Sequence, residues 1–318
     1  MNSLRQSLDA SVWGAAQERQ ARALAEAAQG VGRLEATLAA LPVPEAKGAV
    51  RRLALVEVEA MLWAQGLVLR RDEIGRDLME ARVASDPEAM RLARWAIRRL
   101  EGQAGLADLS KFLGLHRRSL PDEAPPQLPG LRPQGMEFDA AAAEFQAGVA
   151  GLDDLHPLAR GPAVLALWRG AGLSPAGQVV EPSVWSARHM AAGADDLRFV
   201  PLGRHGRRIW TGYGPPEDRL AAHLAALRDG VQEARAQILH IRNWTQRACS
   251  TTAAIKGDNA ARVIAVLAAQ PLVSAMEVET LAGISRPTAE RMLKRLTDLG
   301  LAREVTGHRR FRLWAVAT

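Results

Sequence analysis

The chain has 318 residues, 48% of them hydrophobic, which is enough to fill the cores of two domains. Its formal charge of +6 favours an anionic partner, and its single cysteine, Cys249, excludes an intrachain disulfide and a multi-cysteine zinc site. No apolar run reaches the roughly 18 residues of a membrane-spanning helix and no signal peptide is recognisable, so we expect a cytoplasmic protein without a membrane partner.

The first part of the chain, residues 1–120, has the periodicity of amphipathic helices. Apolar residues recur at three- and four-residue steps in the segments 4–28, 50–67 and 90–100. A helix start precedes the last of these, with Ser85 or Asp86 as the N-cap and Pro87 in the first turn. We predict an N-terminal helical region, and its first helix is a candidate dimerisation surface.

The next segment, 121–135, contains "PDEAPPQLPGLRP", whose prolines cannot continue a helix. It is predicted to be a linker or surface loop. Helical periodicity resumes over 136–250 and includes a long helix from 216 to about 247. Within this region, "LRFVPLGRHGRRIWTGYG" (197–214) alternates apolar and polar residues around a glycine-rich turn, which predicts a small β-hairpin.

The last part of the chain, 259–318, has the signals of a winged helix-turn-helix. A helix over "AARVIAVLAAQ" precedes a second helix, which begins with a capping box of Ser274 and Glu277 and ends at Gly283. Ser285 caps a third helix, and "LAREVT" and "FRLWAV" alternate as two strands joined at "GHRR". The predicted fold class is therefore mainly α: a helical body with a small β-hairpin, followed by a C-terminal winged helix-turn-helix.

The third helix of this module separates into an apolar face and a polar face. The apolar face consists of Ala289, Met292, Leu293, Leu296 and Leu299. The predicted DNA contacts are the residues of the opposite face and of the wing tip, namely Ser285, Arg286, Thr288, Glu290, Arg291, Lys294, His308, Arg309 and Arg310. Winged helices also serve as protein-interaction or dimerisation modules, so this alternative stays open beside double-stranded DNA.

The distribution of charge favours DNA as the partner of this module. Residues 259–318 contain nine Lys and Arg and five Asp and Glu, so their net charge is nine minus five, or +4. Most of the formal +6 of the chain therefore lies in its last fifth.

The segment "DDLHPLARGPAVLALWRGAGL" (153–173) resembles the core motif of the Fic family, whose members transfer AMP or related groups and often end in a winged helix. The family motif is His-Pro-Phe, any residue, Asp or Glu, Gly-Asn-Gly-Arg, two further residues and Arg. In that motif the His is a general base, the acid holds Mg²⁺, and the glycine-rich turn binds phosphates together with the arginines. The resemblance implies a Fic-like helical core over 136–250.

This chain keeps His156, Pro157 and Gly161 of that motif and replaces most of the rest. Arg160 stands in place of the metal-binding acid, and the Asn, the second Gly and the two Arg are replaced by Pro162, Ala163, Val164 and Leu167. A cation in the metal position and a proline in the phosphate-binding turn imply that Mg-ATP does not bind productively. We therefore predict that this degenerate motif has no catalytic residue, metal or cofactor.

Two further features belong to the same resemblance. The segment "VEVEAMLWAQG" (56–66) is placed like the helix that carries a Ser and an inhibitory Glu in many Fic proteins, and the matching residues here are Leu62 and Gln65. The order of elements is also similar to that of uncharacterised helix-turn-helix proteins of alphaproteobacteria.

These patterns favour a DNA-binding transcriptional regulator rather than an enzyme. Its winged helix would bind an operator, and its body would form a homodimer or bind a small-molecule or protein effector. The alternative functions are those of a Fic-type AMP transferase or of a toxin–antitoxin component.

Overall fold

Fourteen α-helices and a three-stranded sheet form the part of the chain that the computed structural model describes, residues 9–79, 86–115, 132–306 and 312–317. The helices of the body are α1 (Ala10–Arg19), α2 (Ala21–Ala39), α3 (Val43–Ala64), α4 (Arg71–Leu78), α5 (Pro87–Leu100), α6 (Leu109–Leu113), α7 (Met136–Ala150), α8 (Gly161–Gly170), α9 (Val180–Met190), α10 (Arg207–Thr211) and α11 (Pro216–Thr252). Two 3₁₀ turns, Pro157–Ala159 and Gly203–Gly206, precede α8 and α10. The predicted mainly α fold class is confirmed.

The C-terminal module follows α11 in the order α12 (Asn259–Ala269), β1 (Val273–Ser274), α13 (Ala275–Ala282), α14 (Arg286–Asp298), β2 (Ala302–Glu304) and β3 (Leu313–Val316). Strand β3 lies in the middle of the sheet and pairs antiparallel with both neighbours, Val273 opposite Trp314 and Ala302 opposite Val316. The three helices and two principal strands therefore lie where the sequence predicts them.

Helix starts are the local features that the sequence predicts best. The Asp86 carboxylate accepts hydrogen bonds from the amides of Glu88 and Ala89, at 2.9 and 3.2 Å. The Ser274 hydroxyl accepts from the Glu277 amide at 3.2 Å while the Glu277 carboxylate accepts from the Ser274 amide at 2.9 Å, which is a complete capping box. These two predicted caps are confirmed because capping is decided within one turn of chain. Ser285 is the N-cap residue of α14, but its hydroxyl bonds to the Thr288 hydroxyl at 2.9 Å and not to a backbone amide.

An aromatic cluster fixes helix α8 inside the body. Phe145 of α7 meets the rings of Trp168 and Trp185 edge to face, with centroids 5.1 and 5.0 Å away. The Trp168 indole donates to the Ser174 hydroxyl at 2.8 Å, so its polar atom is satisfied although the ring is buried. Helix α8, which contains the second half of the Fic-like motif, is thus held between α7 and α9.

Helix α11 connects the body to the C-terminal module. With 37 residues it is about 55 Å long, and its first half packs into the body through buried residues such as Leu224, Leu227 and Val231. Its second half belongs to the other core, where Trp244 and Ala248 are fully buried among residues of α12, α13 and α14. One helix is therefore shared by two hydrophobic cores.

A second connection is the close contact between α3 and α12. A Cβ atom on Gly48 would lie 1.9 Å from the Ala269 carbonyl oxygen, so only glycine permits this approach. Beside it, the Arg52 guanidinium donates to the carbonyls of Leu267, Ala268 and Gln270 at 2.5–2.8 Å. Burial lowers the pKa of Arg52 to about 10, and its donors satisfy the last carbonyls of α12.

The prediction of a β-hairpin over 197–214 is wrong. The segment contains a 3₁₀ turn and the short helix α10, and its apolar side chains Leu197, Phe199, Val200, Leu202 and Trp210 are buried. The amides of Leu202 and Gly203 donate to the buried carboxylate of Glu57 on α3 instead of to a partner strand. The alternation arises because an irregular segment crosses the core, not because two strands pair.

Other boundaries differ in smaller ways. The N-terminal helix, predicted as one segment, is divided at Gln20 into α1 and α2, and its first residues lie outside the described residues. Of the predicted linker 121–135, residues 121–131 also lie outside them. Among the described helices, none combines the length and apolar character that crossing a bilayer requires.

Candidate functional site

The Fic-like motif segment, Asp153 to Val164, forms the 3₁₀ turn and the first turn of α8. His156 is the N-cap of the 3₁₀ turn, and its Nδ1 accepts from the Leu158 amide at 3.2 Å. Its own amide donates to the Gln17 side chain at 2.8 Å. Burial, followed by the nearby charge of Arg160, lowers the pKa of His156. The imidazole is therefore used as a capping acceptor.

Arg160 occupies the position of the metal-binding acid, and its hydrogen bonds go to the protein. Its guanidinium donates to the backbone carbonyls of Leu155 and Asp153 at 2.9 and 2.8 Å, and contacts the Asp153 carboxylate at 3.2 Å. Its side chain is only 15% exposed. A guanidinium offers donors and no lone pairs, so this position does not fit the Mg²⁺ of the Fic family.

The first turn of α8, where the family binds phosphates, is filled by side chains of α9 and α11. A Cβ atom on Gly161 would lie 2.7 Å from the His223 ring and 3.1 Å from the Met190 sulfur. His223 Nε2 lies 3.0 Å from the Leu158 carbonyl, and because a carbonyl only accepts, Nε2 carries the proton. Pro162 contributes no amide donor, so phosphate groups find neither space nor the full set of donors here.

The side chains of α11 that fill this region are charged or titratable; His223 is fully buried and Arg219 is partly buried. Arg219 donates to the Pro162 carbonyl at 2.5 Å, and burial lowers its pKa to about 10. Burial also lowers the pKa of His223 to about 4, so the ring is neutral near pH 7. Neither Arg219 nor His223 is predicted from the sequence as part of this site, although their spacing of four residues places both on one face of α11.

The two positions compared with the inhibitory helix of Fic proteins have structural roles on α3. Leu62 is fully buried in the body core. The Gln65 side-chain oxygen accepts from the amides of Val179 and Val180 at 3.1 and 3.3 Å, which satisfies donors at the start of α9. Gln65 therefore stabilises the start of another helix.

Helix α14 has the two faces that the sequence predicts, with one exception. Ala289, Met292, Leu293 and Leu296 are buried in the core of the C-terminal module. Leu299, predicted to belong to the same stripe, is 43% exposed. It is the C-cap of the helix, where the backbone leaves the helical path, so that its side chain no longer follows the buried stripe.

The opposite face of α14 is solvent-exposed and carries the predicted contact residues. Ser285, Arg286, Glu290, Arg291 and Lys294 are exposed, and Thr288 is half-buried. Arg286 pairs with Glu290 at 3.0 Å, and Arg291 donates to the Thr288 hydroxyl at 3.2 Å. Lys294 has no ion-pair partner among the residues the structure describes, so the face keeps a positive charge.

The predicted wing tip, His308, Arg309 and Arg310, lies outside the described residues. Strands β2 and β3 on either side of it are paired, with Glu304 opposite Trp314. The predicted site residues thus fall into two separate groups. In the body, His156 is exposed, Arg160 is partly buried and Gly161 is buried, whereas the α14 residues lie on the surface of the C-terminal module.

Comparisons with known proteins identify a similar fold. Among curated proteins, none matches this chain. A family model described as "Protein of unknown function (DUF1403)" matches residues 194–316, which extend from before α10 to the end of β3. The crystal structure of a Fic family protein from Desulfovibrio desulfuricans is similar over 93% of this chain and 95% of that one, with 17% identity and a TM-score of 0.50. The chain therefore has a Fic-like fold.

Proposed function

We propose that this protein is a DNA-binding regulator whose C-terminal module, a winged helix, contacts double-stranded DNA through α14, and whose Fic-like body does not transfer nucleotides. The observation that carries the proposal is the polar face of α14: Arg286, Arg291 and Lys294 are exposed on one side of a helix whose other side is buried. An exposed helix of this kind fits the major groove, where Arg recognises guanine.

The arrangement of the module supports the proposal. Gly283 adopts a left-handed conformation, with φ of 61°, and allows the sharp turn between α13 and α14. The turn places Ser285 at the exposed start of α14, the end of a recognition helix that approaches base edges. The net charge of +4 over 259–318 attracts the module to the phosphates that every DNA duplex carries.

The first experiment measures the binding of the full chain to a labelled random-sequence duplex over a range of salt concentrations. We expect the logarithm of the affinity to fall linearly with that of the salt concentration, with a slope of about −3 or steeper for three or more phosphate contacts. Absence of binding at low salt would contradict the proposal. An in-cell DNA-occupancy experiment then identifies the operator.

The fold itself favours a second candidate function, a Fic-type AMP transferase, because His156 keeps its place before α8. The filled first turn and the cation at residue 160 oppose it. Incubation with labelled ATP and Mg²⁺ separates the two candidates. We expect no labelling of this protein or of added proteins, and labelling that His156→Ala abolishes would favour the transferase over our proposal.

Two-fold symmetry would match a palindromic operator, so we propose that the regulator acts as a homodimer in the cytoplasm. The candidate dimerisation helix, residues 4–28, corresponds to α1 and the start of α2. Trp13, Ala16 and Ala27 of this segment are buried in the body core, so we propose that its exposed face contacts the second copy. Light scattering of the purified chain tests this state directly, and a monomer at micromolar concentration would contradict it.

A further inference from the structure

A cavity of about 570 Å³ lies where the body meets the C-terminal module. Helices α3 and α4 form one wall, the middle of α11 forms another, and residues of β2, β3 and the end of α12 close it from the module side. We call it the junction cavity. Its volume is within the range of small-molecule binding sites in proteins.

The interior of the junction cavity is apolar. Ala49 and Leu53 of α3, Ile238 of α11, and Leu272 and Val316 of the module line it, and all five are buried. Ala49, Leu53 and Ile238 belong to the body core, and Val316 belongs to the core of the module. A ligand with an apolar body would therefore contact the body and the module at once.

The charged groups around the cavity leave an excess of positive charge. Four arginines line it, and so do three acids, Glu45, Asp72 and Glu233. Asp72 lies 4.0 Å from Arg303, and Glu233 contacts Arg204 and His205 at 3.3 and 3.1 Å. The Arg52 guanidinium donates hydrogen bonds to the carbonyls of α12 and so is already paired.

Two of the arginines that line the cavity are free to bind a ligand. Arg71 of α4 and Arg242 of α11 are exposed, and neither side chain has a hydrogen-bond or ion-pair partner among the residues that the structure describes. An apolar interior with two free guanidinium groups suits a molecule that combines an apolar body with one carboxylate or sulfonate. A neutral molecule would leave these donors unused, and a cation would be repelled.

From this geometry we infer that the junction cavity is a binding site for an amphipathic organic anion, whose apolar body fills the cavity and whose acid group pairs with Arg71 and Arg242. The ligand would contact both cores, so it would stabilise the arrangement in which the module is docked on the body. The inference does not depend on DNA binding, because none of the residues that line the cavity belongs to the α14 face.

The experiment uses the full chain and the fluorescent amphipathic anion 8-anilinonaphthalene-1-sulfonate as the probe. Decanoate and decylamine, which share an apolar chain and differ in charge, serve as competitors. We expect decanoate to displace the probe and decylamine to leave it bound. We also expect the double substitution Arg71→Ala with Arg242→Ala to weaken probe binding at least about tenfold, as the loss of charge-assisted hydrogen bonds does.

A second variant and a control separate this site from surface binding. Ala236 lines the cavity but is exposed, so Ala236→Trp obstructs the cavity without disturbing either core, and we expect it to weaken probe binding at least about tenfold. Arg247→Ala removes an exposed arginine of the same helix outside the cavity and should leave binding unchanged. Equal displacement by decylamine, or unchanged binding in both cavity variants, would overturn the inference.

Discussion

The motif segment and helix α14 start from similar sequences and use their basic residues in opposite ways. Each has a proline in the first turn of a helix, Pro162 or Pro287, with an arginine one or two residues before it. Arg160 donates to backbone carbonyls and is mostly buried, whereas Arg286 is exposed. A basic residue at a helix start therefore indicates a binding site only when the fold leaves it exposed to a partner.

The difference comes from what packs against each helix. The start of α8 is covered by α9 and α11, which bring Met190, Arg219 and His223 against it. The start of α14 is covered on its apolar side alone, because α14 lies at the surface of the smaller core. Four predictions test this contrast, from the largest expected effect to the smallest.

The first prediction concerns the pH dependence of stability that buried His223 produces. Its pKa is lowered from 6.5 to about 4, so between these values the unfolded chain binds a proton that the folded protein does not. The free energy of unfolding should therefore fall as pH drops through this window, by up to about 3 kcal/mol from this residue.

Urea unfolding of the wild type and of His223→Gln over this pH range measures the effect. The glutamine keeps a donor for the Leu158 carbonyl but does not titrate, so it should remove this part of the pH dependence. The substitution His240→Gln, at an exposed position of the same helix, should leave the pH dependence as it is. Identical profiles for wild type and His223→Gln would show that the motif segment is open to solvent.

The second prediction removes the positive charge of the α14 face. The triple substitution Arg286→Ala, Arg291→Ala and Lys294→Ala should weaken duplex binding about 100-fold near physiological salt, since each lost contact to a phosphate or a base accounts for about fivefold. The side chains are exposed, so thermal unfolding should change little. A matched triple substitution of the exposed body residues Arg22, Arg91 and Arg98 should leave affinity within about twofold. Equal losses in the two variants would mean that the face of α14 is not the contact surface.

The third prediction concerns the filled turn of α8. A methyl group on Gly161 would collide with the His223 ring, so Gly161→Ala should destabilise the protein by about 2 kcal/mol. Gly32, within α2, has open space around its Cβ position, and Gly32→Ala should stabilise the protein by about 0.5–1 kcal/mol. Chemical unfolding of both variants gives the comparison, and a stabilising Gly161→Ala would contradict the described packing.

The fourth prediction concerns the wing tip. Arg309→Ala and Arg310→Ala should each weaken binding to all duplex sequences by about fivefold and make the salt slope shallower by about one. In contrast, Arg286→Ala should relax the preference for one base of the operator. Fluorescence anisotropy with a random duplex and with the occupied operator distinguishes the two effects; a base-specific loss at Arg309 would reverse these roles.

The parts of this structure that the sequence predicts are those decided within a few residues. The capping box at Ser274, the N-cap at Asp86 and the buried stripe of α14 depend on neighbours within one or two turns. The predicted β-hairpin over 197–214 is wrong because the Gly203 amide donates to the side chain of Glu57, which is distant in sequence and lies on another helix. The same holds for the site: the loss of the metal-binding acid and of the phosphate-binding residues is visible in the sequence, but the filling of the turn by His223 is not.

The sharing of α11 between two cores decides where the chain can be divided. The Trp244 indole donates to the Leu301 carbonyl at 2.8 Å and is fully buried in the C-terminal module. A fragment that begins at the predicted boundary, Asn259, would lack this indole and expose the apolar groove that it fills. A fragment for isolating the module should begin near His240, and a shorter one is expected to aggregate.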